Sequence, residues 1–132
     1  MQPIPDTWSM GTFSRDNIEG LVRFNTGLEI YIGNPKYPFR IGIAVPIELF
    51  DTVDFYDFED FIFDVFQAEN KSIVCAIITS SAFKEVVLYT SDKDVLENNL
   101  PSLREAFPTL KITSYFEEDK DWELYSDLIK ST

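Results

Sequence analysis

The chain has 132 residues, 45% of them hydrophobic, with twelve Phe, six Tyr and two Trp; that apolar bulk suits one packed core and excludes global disorder. Twenty-three acids against eleven bases give a net charge of −12 with no His, a field that repels nucleic acid and anionic lipid. No run approaches the roughly 18–20 apolar residues of a membrane span, and Met1–Asp6 lacks the basic start and apolar core of a signal peptide, so a single cytoplasmic domain over residues 1–132 is expected.

The first strand is expected over Trp8–Phe13, ending at Ser14-Arg15-Asp16-Asn17, and the second over Leu21–Phe24, closed by Asn25-Thr26-Gly27. Residues 28–32 are too few for periodicity to choose between helix and strand, and Gly33-Asn34-Pro35 breaks whatever they form. Phe39–Val45 reads as a strand ended by Pro46. Asp51, Thr52 or Asp54 then caps a helix that carries Phe55, Phe58, Phe61, Ile62, Val65 and Phe66 on one face. Ile73–Thr79 and Lys84–Thr90 read as a hairpin. Ser91, with Asp94 three residues on, is the expected cap of a second helix bearing Leu96, Leu100, Leu103 and Phe107, with a kink or restart at Pro101. Lys111–Phe116 is the last strand, and a short helix presenting Trp122, Tyr125 and Ile129 closes the chain, with Asp119 or Asp121 as its cap. From Phe39 onward the order is βαββαβ. The expected class is therefore α/β in the α+β sense: a ferredoxin-like antiparallel core with helices on one face, an N-terminal strand pair and a C-terminal helix.

Chemistry has little to work with. Without His there is no Ser-His-Asp or Cys-His arrangement, and the five glycines form no phosphate-cradling motif. Cys75 is the only cysteine, so no internal disulfide forms; its setting in Ile73–Ile78 predicts a buried, inert thiol. The densest carboxylate set, Glu48, Asp51, Asp54, Asp57, Glu59, Asp60 and Asp64, does not have the spacing of a calcium-binding loop. No catalytic residue, metal site or cofactor is therefore assigned. At about 100° per residue, Tyr56, Asp57, Asp60, Phe63, Asp64 and Gln67 fall opposite the apolar stripe of the first helix. Aromatics framed by acids are what a docking surface for a basic protein needs, since rings anchor and charges steer. The competing reading is that a larger sheet or the N-terminal hairpin covers Tyr56 and Phe63.

Particular segments carry a family resemblance. Trp8, Leu21–Leu28 with its Arg-x-Asn-Thr-Gly-Leu, and Tyr37–Pro46 with its Tyr-Pro-x-x-Ile-Gly-Ile-Ala-Val-Pro resemble the bacterial domain of unknown function 695. So do Phe58-Glu59-Asp60, the strand Lys84–Thr90, and Asp121–Tyr125 with its Trp-x-x-Tyr, whose spacing is one residue shorter. That family brings no catalytic residues with it. Its arrangement is similar to that of the acidic regulator that inhibits ribonuclease E, and small acidic domains of this kind resemble immunity proteins that neutralise toxins.

The leading expectation is a non-enzymatic immunity protein or inhibitor that occludes a basic toxin or nuclease domain, with no direct contact to nucleic acid or membrane. The alternative is a cytosolic regulator or adaptor of a host RNA-processing enzyme. A carboxylate- or metal-dependent enzyme is the third reading.

Overall fold

The computed structural model describes residues 4–15, 17–48 and 54–130. Six strands form one antiparallel sheet: β1 (Trp8–Arg15), β2 (Ile18–Asn25), β3 (Phe39–Pro46), β4 (Ser72–Ser80), β5 (Phe83–Thr90) and β6 (Thr113–Glu118), in the order β1-β2-β4-β5-β3-β6. The helices are α1 (Phe55–Phe66), α2 (Asp94–Ala106) and α3 (Glu123–Lys130). A 3-10 helix spans Thr26–Tyr31, taking in most of the ambiguous residues 28–32 and the Thr26-Gly27 expected to close β2, and the Asn25 side chain caps it by accepting from the Gly27 N–H. Because β5 lies antiparallel to both β3 and β4, those two run parallel on either side of it; β5 and β6 likewise flank β3. These are two interleaved split βαβ units, the ferredoxin-like arrangement. The N-terminal strand pair is a hairpin that extends this sheet beyond β4.

Side-chain alternation along the strands divides the core in two. Ile41, Ile43, Val45, Val74, Ile77, Val86 and Leu88 face α1 and α2. Val22, Phe24, Cys75, Ala76, Val87 and Tyr89 face Leu28 of the 3-10 helix and Trp122, Tyr125 and Leu128 at α3. The core helices α1 and α2 share one face, as expected, and the C-terminal helix α3, whose face the sequence left open, covers the other. The reason is legible in β4, which is buried along nearly its whole length and so needs cover on both sides. A bulge between Val74 and Ala76 turns both Cys75 and Ala76 towards α3. Burial pushes the Cys75 thiol well above its ordinary value, so it stays a neutral packing group.

Local details depart from expectation for identifiable reasons. Asp54 caps α1 through the Tyr56 N–H at 2.8 Å, whereas the other candidates, Asp51 and Thr52, lie outside the described residues. Ser91 does not cap α2. Its N–H is donated to the Lys71 carbonyl at the mouth of β4, and Lys93 takes the cap position with no side-chain bond. Pro101 neither splits nor restarts α2, which runs unbroken because Pro101 and the Glu97 turn beneath it are solvent-exposed, where water can serve the orphaned carbonyl. β6 starts two residues late, since Leu110 and Ile112 are buried against the α1–α2 layer.

One carboxylate ties the second face together. Asp119 Oδ2 accepts from Arg40 Nη1 at 2.8 Å and from the Tyr89 hydroxyl at 2.7 Å, while Oδ1 accepts from the Glu123 N–H at 2.8 Å and so caps α3. Trp122 stacks on Tyr89 with centroids 4.0 Å apart and sends its indole N–H to the Tyr37 carbonyl at 2.9 Å. Its backbone is left-handed, with φ 55°, a conformation that costs about 1–3 kcal/mol and persists only where the surroundings enforce it. Burial works to raise the Asp119 carboxyl. The Tyr89 hydroxyl, the Glu123 and Leu124 amides and the Arg40 charge outweigh burial and hold it below its ordinary value.

The folded state thus resists protonating Asp119 more than the unfolded chain does. Its contribution is complete above the unfolded carboxyl value of about 3.9 and is lost as pH falls through the lower folded value. Asp119→Asn is expected to destabilise by about 1–3 kcal/mol near neutral pH. In urea unfolding at a series of pH values, the gap from wild type should narrow below about pH 4; a constant gap would show that the charge is irrelevant.

Candidate functional site

α1 is the element on which the sequence placed its docking residues. Phe55, Phe58, Ile62 and Phe66 are buried, and Phe61 packs towards α2 against Phe107, with ring centroids 5.9 Å apart. On the far side from α2 the helix borders the β1–β2 hairpin. Here Phe63 is half-buried, its ring edge-on to Trp8 of β1 at 6.0 Å, and the Gln67 side-chain oxygen accepts the Val74 N–H at 2.9 Å, joining the end of α1 to β4. Tyr56 stands clear of both and is 66% exposed. Asp57, Asp60 and Asp64 are exposed, and none of the three has an ion-pair partner among the described residues. The six candidates therefore form one ridge whose outer part, Tyr56 with three carboxylates, meets water. Phe63 and Gln67 form its inner edge against the sheet.

Below this ridge lies a charged layer that sequence reasoning did not assign to the site. Glu59 is 7% exposed and pairs with Arg23 of β2 at 2.6 Å. The Lys84 ammonium of β5 sits 4.1 Å over the Phe55 ring, and burial, then Arg23, depress its pKa against the opposing pull of Glu59. Arg23 and Glu59 meet in a cleft of about 470 Å3 between α1 and the N-terminal segment, walled by Trp8, Phe63 and Gln67. The signal was present in the sequence: helical spacing puts Glu59 on the same side as Phe55, Ile62 and Phe66, and a carboxylate on an apolar stripe calls for a buried cation.

The ridge carries exposed carboxylates around a mostly exposed ring. Among the described residues no group of three or more His, Cys, Asp or Glu side chains is placed to hold a metal ion, and no helix is long and apolar enough to cross a membrane. Anchoring rings, steering carboxylates and a salt-bridged base are components of a protein-binding face.

The fold and ridge define a small α+β domain with an acidic helical face. Residues 50–129, well over half of the chain, match the family of unknown function DUF695, and the chain belongs to that family. The matched residues run from before α1 to α3 and include Glu59 and Asp119, while Arg23 and Arg40 precede them. No curated protein matches the chain.

Removing Arg23 alone strands a buried carboxylate. Arg23→Met is expected to destabilise by about 1–3 kcal/mol, discounted because the guanidinium is partly solvated. Arg23→Met with Glu59→Met should recover much of that loss in urea unfolding, whereas additive losses would mean that the two residues do not act as a pair.

Proposed function

We propose that the protein is a non-enzymatic acidic binding protein of the cytoplasm that docks a basic protein surface against the outer side of α1, as an immunity protein or inhibitor of a toxin or nuclease domain. One observation carries the reading. Asp60 and Asp64 are like charges one helical turn apart, exposed and without ion-pair partners among the described residues. Asp64 also occupies the last turn of α1, where the helix dipole opposes a negative charge. The fold gains nothing from this arrangement, and α1 has no basic residue in its last turn to relieve it. Tyr56, which stands beside these acids with most of its ring in water, supplies the desolvated anchor that such an interface uses.

A net charge of −12 would draw a cationic partner in quickly and make the association rate fall with salt. A tagged whole chain should capture one basic protein from the native cytosol at low salt in near-stoichiometric amount, and a salt wash series should release it. Tyr56→Ala combined with Asp60→Asn and Asp64→Asn should weaken capture at least about tenfold. A wild-type lane empty at every salt concentration, or capture unchanged in the triple variant, would overturn the proposal.

A further inference from the structure

The sheet has two edges, and they are unlike. β6 ends in Glu117 and Glu118; Glu117 pairs with Arg40 at 2.7 Å and Glu118 with Lys120 at 3.3 Å, so this edge carries the charges that discourage strand addition. β1 carries a charge only at its last residue, Arg15. Charged residues are 26% of the chain, yet Trp8 to Ser14 contains no charge and no proline. Its register with β2 is unbroken from Trp8↔Asn25 to Arg15↔Ile18, without a bulge to twist the edge away. Among the described residues β2 is its single strand neighbour.

The open hydrogen-bonding groups can be named. The Thr26 N–H donates to the Thr7 carbonyl at 2.7 Å, which makes Thr7 and Thr26 a bonded pair at the start of the ladder. Antiparallel pairs alternate, so the backbone groups of Trp8, Met10, Thr12 and Ser14 point away from β2. Met10, in the middle of that row, is 64% exposed, and Leu21, on the same sheet face, is 48% exposed.

We infer that the open edge of β1 is an interface between two copies of this chain, paired antiparallel through Trp8–Ser14 to give one continuous sheet across a two-fold axis. Charge decides the occupant. A strand from a basic partner would be favoured by acids along this edge, and the edge has none. A second copy carries the same −12, and a charge-free strand is where two such chains can approach with the least like-charge repulsion along the seam. An antiparallel pairing of a strand with itself is self-complementary, as an isologous interface requires. Its two-fold axis stands perpendicular to the sheet, so both copies of α1 come to the same face and present two acidic ridges side by side. The interface is small, so a weak, micromolar-range dimer is expected.

Sedimentation equilibrium on the whole chain over a range of concentrations should show a monomer–dimer equilibrium that tightens as salt rises. That is the opposite sign to binding of a basic partner, so failure of either reading is separable from failure of the other. Thr12→Pro, which removes an outward N–H, and Met10→Lys, which sets a charge on the edge, should each weaken the dimer at least about tenfold with the thermal midpoint retained. If Thr12→Pro does not fold, Met10→Lys carries the test alone. A chain that stays monomeric up to millimolar concentration at high salt overturns the inference, as does a dimer that both variants leave intact. A monomer whose capture of a basic protein is lost in Thr12→Pro also overturns it and assigns the edge to a foreign strand.

Discussion

The Asp119 carboxylate is the point on which the second face of the sheet depends. Its two oxygens reach Arg40 on β3, Tyr89 on β5 and the first amides of α3, so one side chain joins a central strand, its neighbour and the covering helix. With Asp119 in place, Trp122 is held in its left-handed backbone against Tyr89, and the Tyr125 hydroxyl reaches the Asn25 carbonyl at the end of β2 at 2.6 Å. The last contact spans a hundred residues and fixes the N-terminal hairpin to the C-terminal helix. Burial keeps the Tyr89 hydroxyl protonated, so it remains a donor to Asp119 across the physiological range.

The opposite face uses a different device. There the α1–α2 layer packs on aliphatic strand residues, and the partly buried charge pair Arg23–Glu59 ties α1 to the hairpin. A buried pair is weak evidence for stability, because desolvation offsets its Coulomb energy. Its consequence here is positional: it sets the side of α1 that faces β2, and thereby the side on which Tyr56, Asp57, Asp60 and Asp64 meet water. Family membership covers Glu59 but begins after Arg23, so the helix half of the pair lies in the matched region and the strand half before it.

Much of this could be read in advance where one local signal dominates. Apolar runs bounded by turn residues located β3, β4 and β5 to within a residue or two, and helical spacing found the stripe Phe55, Phe58, Ile62, Phe66. What escaped depends on distant partners. The continuously apolar β4 calls for cover on both faces, but that α3 supplies the second cover is settled by Asp119 and Tyr89, which are distant in sequence. Ser91 has the composition of a cap but spends its amide on Lys71. β1 and β2 run longer than their apolar centres because pairing with each other extends them to Arg15 and Ile18. At the candidate site, spacing alone placed Tyr56 and the three acids outward. Phe63 and Gln67 lie inward because Trp8 and the Val74 amide, far away in sequence, hold them there.

In the proposed function the acids on the outer side of α1 serve recognition and are carried against the interest of the fold. Urea unfolding of Asp60→Asn with Asp64→Asn, compared with wild type across a salt series, tests this most directly. The double variant should be more stable at low salt by a few tenths to about 1 kcal/mol, with the gain shrinking as salt screens the like charges. A double variant less stable than wild type at every salt concentration would contradict the claim and make these carboxylates part of the framework.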